Sequence, residues 1–182
     1  MKLNIGIDID NTLTNTSIIS NTLLKKSNLY NGVLDYHELS TSDARKFLTD
    51  CLLDIVWNVK IKEDALEVLK HWKSKEYKLI FITARGTEDT SEKIHINSIC
   101  LTSLYFIINK VDFDGLVFFQ EDKSNVCKKY NIDVFIDDKE KVLDEIKNEG
   151  IKTVRITNDE ISNHKIVHNW QEIKDYVDSL GE

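Results

Sequence analysis

Residues 4–15 read NIGIDIDNTLTN. An isoleucine-rich run meets two aspartates one residue apart, Asp8 and Asp10, and Thr12 and Thr14 follow. Apolar residues without polar alternation suit a strand covered on both faces of a parallel sheet. The aspartates therefore fall where a buried strand ends, with no basic residue nearby in sequence to neutralise them. Two carboxylates that close repel, so the compensating charge must come from elsewhere in the chain.

Four further β-branched, apolar runs accompany the first, Leu3–Ile9: Lys78–Thr83, Leu116–Phe119, Val134–Ile136 and Thr153–Ile156. Helical spacing separates them. Ala65, Leu66, Leu69 and Trp72 repeat at helix intervals, as do Val142, Leu143 and Ile146, with Gly150 as a C-cap. A last helix carries Trp170, Ile173, Val177 and Leu180 behind a capping box of Asn169 and Glu172. This alternation predicts an α/β fold: a doubly wound, Rossmann-like parallel sheet of about five strands. Ligands of such sheets bind beyond the carboxyl ends of the strands, where Asp8, Asp10, Thr83 and Asp137 all fall.

The chain between the first two strands is far longer than one crossover helix needs. Residues 15–28 and 42–57 read as helices, with Ser42 as the second N-cap, around a loop at 29–41 marked by Tyr30, Asn31 and Gly32. Glu63–Lys75 is the crossover helix itself. The expected organisation is an α/β core of residues 1–14 and 61–182, with 15–60 as a small helical cap over the sheet's carboxyl edge.

Composition narrows the function. The 182 residues are 41% hydrophobic and 30% charged, with net charge −7 and a pI of about 5.3. Nucleic-acid binding needs clustered cations, so an acidic chain argues against it. Cys51, Cys100 and Cys127 are scattered and odd in number, which reads as reduced thiols of a cytoplasmic protein. The expected location is cytoplasmic: the chain opens directly on a strand without a signal-peptide pattern, and no apolar run approaches the ~18 residues of a membrane span.

Three other stretches reach the same edge. FITARG (81–86) brings Thr83 and Arg85, EDKSN (121–125) brings Lys123, and VFIDDKEK (134–141) brings Asp137 and Asp138. Four carboxylates in one crevice call for a hard divalent cation with oxygen ligands, and Mg²⁺ fits. Each residue type has work in phosphoryl transfer through an aspartyl-phosphate. Asp8 attacks phosphorus, and Asp10 protonates the leaving oxygen and then activates water. Thr83 donates to a phosphoryl oxygen, while Lys123 offsets charge on the transferring group.

Asp8-x-Asp10-x-Thr12, Thr83, Lys123 and Asp137-Asp138, in that order at four strand ends, resemble the four motifs of the haloacid dehalogenase-like phosphatase superfamily. The wording DKSNVCKKYNIDVFIDD, with the closing VHNWQEIKDYV, is similar to the type C 5′-nucleotidase (deoxyribonucleotidase-like) group. The resemblance implies a Mg²⁺-dependent phosphomonoesterase acting on nucleoside monophosphates. It implies Asp8 as nucleophile and Asp10 as general acid/base whose backbone carbonyl also serves the metal. It implies Asp138 as a direct metal ligand with Asp137 behind it or acting through water. Thr12, Thr83, Ala84, Arg85 and Lys123 form the implied substrate-binding set. Asn11 departs from the glycine many relatives carry there, and asparagine tolerates the unusual backbone angles such a turn needs.

Other readings compete. Arg85 can pair with Glu88 or Asp89 instead of meeting substrate. Tyr30, Tyr36, Phe47 and Trp57 suit packing within the cap better than stacking on a base. All five histidines read as structural or surface residues. A receiver-type signalling domain shares the residue types but not their order along the strands. A catalytically idle binding or regulatory module is a different class of alternative. A phosphatase for sugar phosphates or other small metabolites is a third.

Overall fold

The computed structural model describes residues 1–27, 32–86, 92–120 and 122–182. Tyr30, Glu88 and Asp89 lie outside that set. Among the described residues, six strands form one parallel sheet: β1 (Asn4–Ile7), β2 (Lys78–Ile82), β3 (Gly115–Val117), β4 (Val134–Asp137), β5 (Lys152–Ile156) and β6 (Lys165–Val167). Their order is β3-β2-β1-β4-β5-β6. The sixth strand exceeds the five expected. Its three residues, KIV, are too few to show a period of their own, and pairing with β5 makes the strand.

Among the described residues, seven α-helices accompany the sheet: α1 (Thr16–Ser27), α2 (Thr41–Asn58), α3 (Ala65–Ser74), α4 (Glu92–Ile108), α5 (Ser124–Lys129), α6 (Glu140–Lys147) and α7 (Trp170–Gly181). Side chains alternate across the pleat and feed two cores. Leu79 and Phe81 of β2 join Trp72 of α3, Phe106 of α4 and Trp170 of α7 on one face. Ile80 and Ile82 join Cys127, Leu143 and Ile146 near α5 and α6 on the other. The sheet is thus covered on both sides, which explains why its strands read as unbroken apolar runs.

Local chemistry sets most helix ends. Asn169 caps α7 by accepting the Glu172 N–H at 2.9 Å, and the Glu172 carboxylate accepts the His168 N–H at 2.9 Å. The N-cap of α2 is Ser40, not Ser42: the Ser40 hydroxyl accepts the Asp43 N–H at 3.2 Å. Three serines and threonines in a row leave that choice to the tertiary path. Helix α4 shows no apolar stripe in sequence, because Ile, Leu, Tyr and Phe fall on every side of it.

Two features position the crevice. The chain moves from β1 to β2 and β3 in one direction, then to β4 on the other side of β1, so the strand order reverses between β1 and β4. The register is fixed by Ile7 opposite Ile136 and by the Asp8 N–H donating to the Ile136 carbonyl at 2.9 Å. That places Asp8 and Asp137 side by side.

Between β1 and β2, α1 and α2 pack around Leu24, Phe47 and Ile55 as a small separate cluster. Where the chain leaves and re-enters the core, Thr14 pairs antiparallel with Ile61. The Lys62 N–H donates to Leu13 at 2.9 Å, and the Asn15 N–H donates to Lys60 at 3.0 Å.

Gly6 is required by a close approach. A Cβ there would sit 2.3 Å from the Phe135 ring, which is itself fully buried. Gly6→Ala is expected to cost about 2 kcal/mol by overpacking and to lower the Tm by about 4–8 °C. Phe135→Leu in the same chain should recover part of the loss. An unchanged Tm in calorimetry would contradict this packing.

Candidate active site

Asp8 ends β1 in extended geometry and is 6% exposed. Residues 9–13 then make one wide turn, closed by the Thr14 N–H donating to the Ile9 carbonyl at 3.1 Å. Inside it Asn11 takes φ 62°, a left-handed conformation that asparagine adopts readily. Its side-chain oxygen accepts the Ser17 N–H at 2.8 Å and so ties the turn to α1.

Lys123, just before α5, is the counter-charge that the aspartates required. Its Nζ donates to Asp8 Oδ1 at 2.5 Å and to Asp137 Oδ2 at 2.8 Å, and all three side chains are buried. Burial alone would lower the lysine's pKa, but Asp8 and Asp137 together hold it above the ordinary value. Burial pushes the Asp8 carboxyl up to about 7; Lys123 opposes that push, while Asp137 and Asp10 add to it. The Asp137 carboxyl is raised by burial in the same way.

Carboxylate oxygens of Asp8, Asp137 and Asp138 lie within 4.8 Å of one another. Their positions differ in one respect. Asp137 spends Oδ2 on Lys123 and Oδ1 on the Lys139 N–H at 2.9 Å. Asp138 Oδ1 is buried with no hydrogen-bond partner. An unsatisfied buried carboxylate oxygen beside two other carboxylates is a donor set for a hard, oxygen-seeking cation. Asp138 Oδ1 thus has no hydrogen bond, whereas both Asp137 oxygens are engaged.

Asp10 faces elsewhere. Its carboxylate lies outside that cluster and accepts a forked pair from Arg85: Nε to Oδ2 at 2.8 Å and Nη2 to Oδ1 at 2.7 Å. Thr16 of α1 donates to Oδ1 at 2.6 Å. Burial would raise the Asp10 pKa, but Arg85 and Thr16 hold it below the usual carboxylate range. Arg85 was expected to meet substrate or to pair with Glu88 or Asp89, two acids outside the described residues; its guanidinium is bound to Asp10 and, through Nη1, to Thr102 of α4 at 2.8 Å. Contact between α1, α4 and the β1 and β2 ends exists only in three dimensions, so neither Thr16 nor Thr102 carries a sequence signal.

The other expected substrate-binding residues divide. Thr83 and Ala84 line the cavity beside Asp8, Asp10, Arg85 and Lys123. Thr83 is anchored by its N–H, which donates to the Val117 carbonyl at 2.9 Å. Thr12 does not line the cavity: it is fully buried, and its carbonyl accepts the Trp170 indole N–H at 3.2 Å. Lys62 donates through its ammonium to the Asn11 carbonyl and so ties the turn to the chain before α3.

The cavity is about 350 Å³, a size that suits a small ligand. Its far wall is built from α1, α2, α4 and the connection between the first two, with Ser17, Ser20, Tyr36, Leu48, Leu52, Ile55, Val56 and Ser98. Of the aromatic residues weighed for this region, Tyr36 reaches the cavity. Phe47 is 1% exposed in the α1–α2 cluster, and Trp57 is 64% exposed on the surface. His71, His164 and His168 bond to Asp178, Thr153 and Thr157, away from the cavity.

No family model and no curated protein sequence matches the chain. Solved structures do match its fold over nearly the whole length. A "predicted phosphatase" from Clostridium acetobutylicum superimposes with a TM-score of 0.70 at 14% identity, covering 98% of this chain and 100% of that one. The fold is that of the haloacid dehalogenase-like hydrolases. A haloacid dehalogenase-like family hydrolase from Streptococcus pneumoniae gives a TM-score of 0.62 at 15% identity, covering 97% and 98% of the two chains. A "predicted phosphoglycolate phosphatase" from Haemophilus somnus gives 0.61 at 16%, with the same coverage. The haloacid dehalogenase-like fold here also lacks, among the described residues, any helix long and apolar enough to cross a membrane.

The acidic cluster makes a test of its own. A divalent cation at this cluster would bind ionised Asp8, whose carboxyl burial pushes up to about 7. Proton and cation compete, so Mg²⁺ affinity measured by calorimetry should weaken below pH 7, by up to about tenfold per unit. Asp138→Asn should weaken it about tenfold or more at pH 8. Binding that is indifferent to both would contradict the assignment of the cluster.

Proposed function

We propose that the protein is a Mg²⁺-dependent phosphomonoester hydrolase working through an aspartyl-phosphate on Asp8, with nucleoside monophosphates as substrates. The observation that carries this reading is the Asp8 carboxylate at the cavity floor, held at Oδ1 by buried Lys123 beside Thr83 and the unsatisfied Asp138. Asp8, Asp138 and, through the interior, Asp137 would hold the Mg²⁺ ion. When bound, Mg²⁺ supplies positive charge that screens the phosphoryl group from its anionic nucleophile.

The residues then divide the reaction. An Asp8 oxygen forms a bond to phosphorus as the bond from phosphorus to the ester oxygen breaks. Lys123 and the Thr83 hydroxyl stabilise charge on the transferring oxygens. Asp10 rests ionised; it takes up the proton carried by an incoming phosphate monoanion and delivers it to the leaving oxygen. Asp10 next accepts a proton from water as the water oxygen attacks phosphorus. The bond from phosphorus to Asp8 breaks, returning the carboxylate and releasing inorganic phosphate.

Residues 15–60 act as the cap, and the Thr14–Ile61 pairing at their root supports that boundary. Among the described residues, the side chains they bring to the cavity are uncharged: the hydroxyls of Thr16, Ser17 and Ser20, with Tyr36, Leu48, Leu52, Ile55 and Val56. Such a wall suits a neutral sugar with a flat heterocycle, and a nucleoside fits that description; Lys139 also lines the cavity.

The test is phosphate release with Mg²⁺ from nucleoside 5′- and 3′-monophosphates, sugar phosphates, phosphoglycolate and an aryl phosphate. Nucleotides should be turned over best, and Asp8→Asn should lower the rate by about 10⁴-fold or more. Preference for phosphoglycolate or a sugar phosphate would move the substrate to the small-metabolite class. Full activity of Asp8→Asn would overturn the chemistry.

A further inference from the structure

Arg85 is one of three arginines in the chain, and its surroundings are unusual for a surface-rim cation. Its side chain is 12% exposed, and all three guanidinium nitrogens are engaged. Nε and Nη2 grip the two oxygens of Asp10, while Nη1 donates to the Thr102 hydroxyl. The Arg85 N–H also donates to Thr83 Oγ1 at 3.2 Å, so the residue is fixed at backbone and side chain to the end of β2.

A fork bound to both oxygens of a carboxylate fixes the carboxylate plane, which a lysine ammonium cannot do. Thr16 completes the hold by donating to Oδ1 from the first residue of α1. Asp10 needs such support because it lies in the wide turn with a non-helical ψ of 124°, followed by left-handed Asn11. No intrahelical ladder defines that backbone. The carboxylate plane is set from outside the turn, by β2, α1 and α4 together.

We propose that Arg85 is the positioning residue for Asp10: its fork fixes the plane of the Asp10 carboxylate in the cavity that Asp8 also lines and, through Thr102, links that orientation to α4. This rests on the phosphomonoesterase reading above. It differs from a substrate-binding role, because three of the five guanidinium N–H donors are already spent on Asp10 and Thr102. Geometric control of this kind matters, since small misplacements of a proton-transfer group cost orders of magnitude in rate.

The deciding experiment is a double-mutant cycle with aryl phosphate and Mg²⁺, using Arg85→Met, Arg85→Lys, Asp10→Asn and the double variant Asp10→Asn with Arg85→Met. Arg85→Met should lower kcat about 10–100-fold with KM changed less than about threefold. Arg85→Lys should recover little, because it keeps the charge and loses the fork. In the Asp10→Asn background the Met substitution should change kcat less than about threefold, since the group it positions is gone. A multiplicative loss in that background, or a KM rise that carries the whole effect, would overturn the proposal in favour of direct substrate contact.

A second measurement needs no turnover. The Arg85 Nε–H should give a separate nitrogen-15 resonance, protected from exchange with water and lost in Asp10→Ala. A rapidly exchanging Nε–H would overturn the clasp. Inactivity of the unmodified protein toward every phosphate ester would defeat the phosphatase reading, and this resonance would still decide whether Arg85 holds Asp10.

Discussion

Everything at this site depends on one buried ammonium. Lys123 lies between Asp8 and Asp137, which the parallel register of β1 and β4 forces into adjacency. Without it, two carboxylates would be buried against each other, and removing one partner of a buried ion pair typically costs about 3–5 kcal/mol. The lysine does not finish the job. Asp138 adds a third carboxylate to the group, on which Lys62 and Lys139 also act electrostatically. The remaining negative charge is a cost to the fold that a bound divalent cation would relieve. Stability and chemistry are therefore coupled at one point.

The cavity follows from the same sheet. Its floor is made of strand ends, where backbone register fixes side chains to within narrow limits. Its wall comes from α1 and α2, whose apolar residues serve a small cluster of their own and also face the cavity. Val56 and Val59 join the main core, so the two helices are seated on the sheet even as they enclose the space above it. Floor and wall thus have different origins: charge and hydroxyl chemistry from the sheet, shape and polarity from the inserted segment.

The α/β architecture was legible because both sheet faces are covered, which turns strands into unbroken apolar runs such as KLIFI and VFID. The gathering of Asp8, Thr83, Lys123 and Asp137 was legible because parallel strands bring their carboxyl ends to one edge. The sixth strand was not, since three residues carry no period. Nor was the placement of Thr12, whose position two residues past Asp10 suggested the cavity: the wide turn sends it inward to meet Trp170. The partner of Arg85 was hidden for a related reason. Substrate and the charged neighbours in sequence were the candidates on view, while Asp10, which it grips, lies 75 positions earlier.

The account stands on Asp8 carrying the phosphoryl group, and the most direct measurement is to find it there. Turnover of an aryl phosphate with Mg²⁺ would be stopped in acid within milliseconds, the acyl phosphate reduced with borohydride, and the modified peptide mapped by mass spectrometry. Reduction at Asp8, absent when substrate is omitted, is the predicted result. Brisk turnover with no acyl phosphate, or with reduction at Asp10, Asp137 or Asp138 instead, would contradict it.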